Sequence, residues 1–195
     1  MENRLLLSAT LARLSPIIFA AGLFVNCISN PSYNSFYLLS MFSIVGISNF
    51  VAKYLVFKPF YQLLGNQSIP LLGIGARPVG ATGCGVCIDY KKSTSYGMPS
   101  GHSQLAWFLA TYIIYENYQH YNKSKQTNKN KQNYIWYNIW YSSIFVLGIA
   151  IYISYSRVYI EKCHTLSQVI AGALLGIICG RVIYYFRDNI KQIIN

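Results

Sequence analysis

Charged side chains are spaced unevenly along the chain. From Leu14 to Ala52, thirty-nine positions pass without an Asp, Glu, Lys, Arg or His. That is room for two crossings of a hydrocarbon layer needing about 20 residues each. Asn30-Pro31-Ser32 interrupts the run with turn chemistry, dividing it into a span over about 14–29 and a second from Tyr33 to Phe57, ending at Lys58-Pro59. Further apolar segments occupy about 100–118, 134–155 and 165–186. The last carries Ala171, Gly172, Ala173, Gly176 and Gly180, small residues suited to close helix packing. Arg4 and Arg13 precede Ile17–Val25 as in a secretory signal, but the run continues and shows no A-x-A-like site, so it is predicted to be retained.

The pattern predicts an all-α, polytopic membrane helix bundle of five spans in a single domain over 1–195. Residues 59–99 differ: they hold Pro70, Pro78, Pro99 and several glycines, and Gln62–Ile74 is too broken to span. Such backbone belongs at the surface or against protein, not facing lipid. His120–Asn133, with Lys123, Lys125, Lys129 and Lys131 among Asn and Gln, reads as a solvated linker.

Composition agrees. Of 195 residues 53% are apolar and 11% charged, and mean hydropathy is +0.30. A soluble domain carries roughly 25% charged residues. Disorder and a disulfide-packed mini-protein are excluded. Sixteen Lys and Arg against five acids give a net charge of +11. These cations lie in loops between spans whose ends carry Tyr and Trp, which argues for headgroup contact and topology rather than nucleic-acid binding. Some of them can also converge on an anionic substrate. Cys27 and Cys179 lie inside spans as small hydrophobes. Cys84, Cys87 and Cys163 lie in loops, either as free thiols or, on an oxidising side, with a disulfide among them. No four-ligand metal set accompanies them, so neither metal nor cofactor is expected.

The informative polar residues share one membrane level. Ser100-Gly101-His102 opens the third span, Ser156-Arg157 closes the fourth, and His164 precedes the fifth. Alternating span direction returns all three to one face, within reach of Lys53, Lys58 and Arg77. Alone, each has an ordinary reading: an interfacial hydrogen-bonder or a snorkelling arginine. Together they suit a phosphate ester. Guanidinium groups bind phosphoryl oxygens through paired donors, and a helix start adds free N–H groups. Two histidines can divide the nucleophile and general-acid roles.

Arg77-Pro78, Gly97-Met98-Pro99-Ser100-Gly101-His102-Ser103-Gln104 and Ser156-Arg157-Val158-Tyr159 with His164 closely resemble a three-part signature. It is that of the type 2 phosphatidic acid phosphatase superfamily: K-x6-R-P, P-S-G-H and S-R-x5-H-x3-D. Within it, G-M-P-S-G-H-S-Q and H-T-x-S-Q-V look most like the dolichyl diphosphate phosphatases, endoplasmic-reticulum enzymes that remove the terminal phosphate of a polyprenyl diphosphate carrier. The resemblance implies His164 as the nucleophile forming a phosphohistidine and His102 as the general acid. Lys53, Arg77, Arg157 and the Ser100/Gly101 backbone would hold the phosphoryl group, and Gln168 would orient His164. Lys58 is the second candidate for the signature lysine.

Four departures stand out. Pro70 replaces the lysine seven positions before Arg77; six residues, not five, separate Arg157 from His164, with Lys162 or Cys163 as the extra one; Gln168 replaces the usual acid; and five spans are counted against six. The implied partner is a lipid phosphate within the membrane. The compact Lys loop and C-terminal tail place the site face outward, in a lumen or exterior, and the resemblance implies the endoplasmic reticulum. The rival readings are a phosphatidic acid or other lipid monophosphate phosphatase and, in another class, an inactive lipid-binding or assembly subunit.

Overall fold

A computed structural model of the chain describes residues 2–70, 72–82, 84–85, 93, 95–127 and 132–194. Its long helices are α1 (Glu2–Ser29), α2 (Tyr33–Val51), α4 (Gly101–Thr127), α5 (Gln132–Tyr155) and α6 (Leu166–Ile194), with a short α3 (Lys58–Leu63). No β-strand is present among the described residues, and Ile69 and Gly73 form an isolated bridge.

Four stretches are long and apolar enough to cross a membrane: Leu7–Ser29, Tyr33–Leu63, Trp136–Ile160 and Leu166–Arg187. The fifth expected span, α4, is more polar because protein rather than lipid surrounds its first turns. Ser103 and Gln104 are buried there, and each has partners on neighbouring helices. Ser103 Oγ donates to Val169 O (3.0 Å) of α6 and meets Ser154 Oγ (3.1 Å) of α5. Gln104 Oε1 accepts from Asn49 Nδ2 (2.7 Å), and its Nε2 donates to Ser48 Oγ (3.2 Å), both on α2. Phe42 and Val45 of α2 form an apolar core with Phe108 and Leu109 of α4.

Several helices run past their predicted ends. The first begins at Glu2 and carries Pro16 inside it. Proline cannot donate to the carbonyl four residues back, and Ser15 Oγ supplies that bond instead, donating to Ala12 O at 2.8 Å. The second span continues beyond Phe57 through a π-helical turn, Ala52–Phe57, into α3. Pro59 falls in the first turn of that new helix, where a missing N–H costs nothing. The expected linker over 120–133 is largely helical, since α4 runs to Thr127 and α5 starts at Gln132. Cys87, Lys91 and Lys92 lie outside the described residues.

Between α4 and α6 the two main chains touch. A methyl group on Gly172 would collide with Ser100 O, and one on Gly176 with Gln104 O. The small residues of α6 therefore set how closely the two helices approach, and α4 and α6 both begin at the same end of the bundle.

Candidate active site

The starts of α4 and α6, the end of α5, the π-helical turn after α2 and the loop around Arg77 meet at that end. His164 stands just before α6. Its Nδ1 lies 3.0 Å from Gln168 Oε1, one helical turn on. The amide is held the right way round, because Gln168 Nε2 donates to Ile74 O (2.9 Å) and Ala76 O (2.7 Å). An amide oxygen only accepts, so Nδ1 carries the proton and Nε2 holds the lone pair. Arg77 Nη1 lies 3.1 Å from that Nε2 and also donates to Cys163 O at 2.9 Å. Its other nitrogens are held by Ser95: Nε on the carbonyl at 3.0 Å and Nη2 on the hydroxyl at 2.8 Å.

Burial, with the charges of Arg77, Arg157 and Lys53 next in importance, holds His164 well below the usual histidine range; the Gln168 bond opposes them. The ring is neutral at physiological pH. Arg77 is lowered to about 10 by burial and then by Arg157, and stays charged.

Arg157 is fully buried at the π-helical turn Ser156–Ile160 that closes α5. Its Nη1 donates to Glu161 Oε2 (2.7 Å) and its Nη2 to Cys84 O (2.7 Å). Nε is buried with no hydrogen-bond partner among the described residues. The π turn also accounts for the six-residue spacing to His164. Glu161 N donates to Ser156 O, five residues back, and Lys162 takes a left-handed conformation (φ 52°). The chain then closes on itself, with His164 N on Arg157 O at 3.1 Å. The surplus residue is taken up in a widened turn, so the arginine and the histidine still meet.

The remaining predicted residues divide. His102 is on the first turn of α4, with its Nε2 2.9 Å from Arg13 O. A carbonyl only accepts, so the proton is on Nε2. Lys53 is half-buried on the π turn after α2, and its charge acts on His164. Lys58 is exposed and lies over the Tyr54 ring at 5.8 Å. Gly101 rests against Asn49, and a methyl there would press on Asn49 Oδ1 at 2.8 Å. Ser100 requires a correction. Its N–H donates to Gln168 O at 3.0 Å and is therefore not a free anion donor. What Ser100 offers is its hydroxyl, buried and without a partner among the described residues.

One alternative left open by the sequence is decided, and two further features were missed there. Cys84 and Cys163 form a disulfide, with Cα atoms 5.5 Å apart, which resolves the open question of those loop thiols. Each of the two cysteines gives its carbonyl to a site arginine. Glu161 lies between Arg157 and Arg13, whose Nε is 3.2 Å from the same Oε2. Its i,i+4 spacing from Arg157, in a chain with only five acids, was the available signal.

A model of the PAP2 superfamily matches residues 34–192, from the start of α2 to the end of α6. The chain belongs to the PAP2 superfamily. The match includes Lys53, which the signature motifs alone left apart from Arg77. Among PAP2 relatives, dolichyldiphosphatase 1 of Homo sapiens is 39% identical over 84 residues, covering 43% of this chain and 33% of the relative. Dolichyldiphosphatase 1 of Rhinolophus ferrumequinum is 35% identical over 98 residues, 50% of this chain and 39% of the relative. Lipid phosphate phosphatase gamma of Arabidopsis thaliana is 33% identical over 97 residues, 48% and 37% respectively. The matches thus span about a third of the length of these relatives. No solved structure matches.

Proposed function

We propose that the chain is a membrane lipid phosphatase that removes the terminal phosphate of a polyprenyl, dolichyl-type diphosphate through a phosphohistidine, recycling a glycan carrier lipid. The observation that carries this reading is the state of His164: neutral, protonated on Nδ1, its Nε2 lone pair 3.1 Å from an Arg77 nitrogen. A nucleophile and a phosphoryl-binding cation occupy one point.

The Nε2 lone pair attacks the terminal phosphorus, and the bond from phosphorus to the bridging oxygen breaks. Its electron pair goes to the departing oxygen, which takes a proton from His102 as that ring turns from Arg13 O toward it. His102 is held as imidazolium beside the bound diphosphate and is left as neutral imidazole. Arg77 and Lys53, with Arg157 Nε and the Ser100 hydroxyl, stabilise charge spread over the equatorial oxygens. Water then attacks the phosphorus and gives a proton to His102. The nitrogen–phosphorus bond breaks, and its electrons return to Nε2. No step calls for a metal ion.

The disulfide favours a site on an oxidising side, and with the dolichyldiphosphatase resemblance this supports an endoplasmic-reticulum protein with the site toward the lumen. The similarity to lipid phosphate phosphatase gamma favours a second reading, a lipid monophosphate as substrate. An inactive subunit is less well supported. Its two motives were Gln168 and the longer third motif, and Gln168 orients His164 while the π turn absorbs the extra residue.

The test is phosphate release by the detergent-purified protein with EDTA present, from dolichyl diphosphate and phosphatidic acid in parallel. Preference for the diphosphate, abolished by His164→Ala, supports the reading. Activity that survives the substitution removes His164 from the role, and inactivity on both lipids favours the non-catalytic subunit.

A further inference from the structure

We infer that Arg13 forms a second phosphate subsite, holding the phosphate that departs with the lipid; this deepens the reading of the site as one for lipid diphosphate. Three observations converge on this arginine of α1.

Its main-chain carbonyl receives His102 Nε2 at 2.9 Å. The departing oxygen must come to His102 to be protonated, and His102 adjoins Arg13, so the group bonded beyond that oxygen arrives in the neighbourhood of Arg13. In a diphosphate that next group is the second phosphate. Its side chain is also yoked to the first phosphate's arginine. Arg13 Nε and Arg157 Nη1 meet on one atom, Glu161 Oε2, at 3.2 and 2.7 Å. The Glu161 and Arg157 side chains are 1% and 0% exposed. Two guanidinium groups held side by side on a buried carboxylate match two phosphoryl groups joined through one oxygen. Glu161, moreover, engages only Nε. Among the described residues the two terminal nitrogens of Arg13 make no hydrogen bond, and the side chain is 19% exposed. That leaves a fork of donors with access to a ligand.

Charge points the same way. Lys53, Arg77 and Arg157 less Glu161 leave two positive charges, enough for a phosphate monoester of about −2. Arg13 raises the balance to three, which suits the additional ionised oxygen of a diphosphate.

The full chain, purified in detergent as the His164→Ala variant so that nothing is turned over, is titrated with inorganic diphosphate and with inorganic phosphate. Adding Arg13→Ala should lower the ratio of diphosphate to phosphate affinity about tenfold or more, the loss expected for charge-assisted hydrogen bonds. Arg13→Gln, which keeps a donor for Glu161 but no charge, should lower it comparably and serves if the alanine variant does not fold. A ratio unchanged in both variants, whether or not the two affinities fall together, overturns the subsite and leaves Arg13 a structural role. The outcome is separable from the catalytic reading. If the unmodified protein releases no phosphate from dolichyl diphosphate while the ratio still falls, the hydrolase reading fails and the subsite stands. If it hydrolyses the lipid and the ratio is constant, the reverse holds.

Discussion

Gln168 holds His164 by an amide oxygen at 3.0 Å while its amide nitrogen is spent on the carbonyls of Ile74 and Ala76. A neutral group therefore selects the tautomer without stabilising an imidazolium. In the proposed role His164 must attack deprotonated, and its pKa is lowered, so loss of kcat/KM on acidification should lie below pH 6.5, near which an ordinary histidine titrates. Gln168→Glu adds a charge that favours the imidazolium, so the acid limb should move to higher pH. The same change removes the donor shared by two part-buried carbonyls and should cost about 1 kcal/mol of stability. A pH–rate profile with a thermal melt separates the two effects; an acid limb unmoved by the carboxylate would disprove the assignment.

Ser100 supplies a case in which stability and activity part company. Its hydroxyl is buried with no partner among the described residues, and a desolvated donor of that kind disfavours the folded state by about 1–3 kcal/mol. Ser100→Ala should leave the melting temperature equal or higher, while phosphate release falls about 10²-fold for the loss of one preorganised donor. A variant that melts lower and retains its rate would mean the hydroxyl serves packing.

The disulfide should matter to the arginines more than to the helices. Cys84 O receives Arg157 and Cys163 O receives Arg77, and the bond closes a loop of 79 residues. Losing it should cost about 2–4 kcal/mol and free both carbonyl anchors. Cys84→Ala, or treatment with a phosphine reductant, should therefore raise KM for the lipid several-fold at temperatures where the helical circular dichroism is intact. Thiol counting by mass spectrometry checks that the bond was present and then lost.

Lys53 and Lys58 are five residues apart, and the widened turn between them sends them to different places. Lys53→Met removes a charge that helps hold His164 neutral. It should weaken substrate binding roughly tenfold and shift the acid limb upward. Lys58→Met should alter neither quantity beyond about twofold, since the side chain is exposed over Tyr54. Matched effects would indicate that the two lysines share the role.

Much of this site was legible before any fold was known. His102, Arg157 and His164 could be set at one level because alternating spans return chain ends to the same face, and apolar runs mark spans clearly. What stayed hidden depends on hydrogen-bond geometry. Nothing in Pro-Ser-Gly-His tells that the Ser100 N–H is taken by Gln168 O. Helix ends were also misplaced: the polar run from His120 read as linker, yet α4 continues through it to Thr127. Arg13 passed for a topology signal because its partner, Glu161, is 148 residues away.

The contact of Gly172 with Ser100 O and of Gly176 with Gln104 O has a mechanical meaning. Side chains between helices can change rotamer and let the helices breathe; main chain against main chain cannot. His102 rides on one of these helices and His164 is tethered to the first turn of the other, so the gap that a phosphorus atom must fit is gauged by incompressible backbone. On the proposed reading, dimensional tolerance at the reacting centre is thus written into two glycines of α6, eight and twelve residues beyond His164.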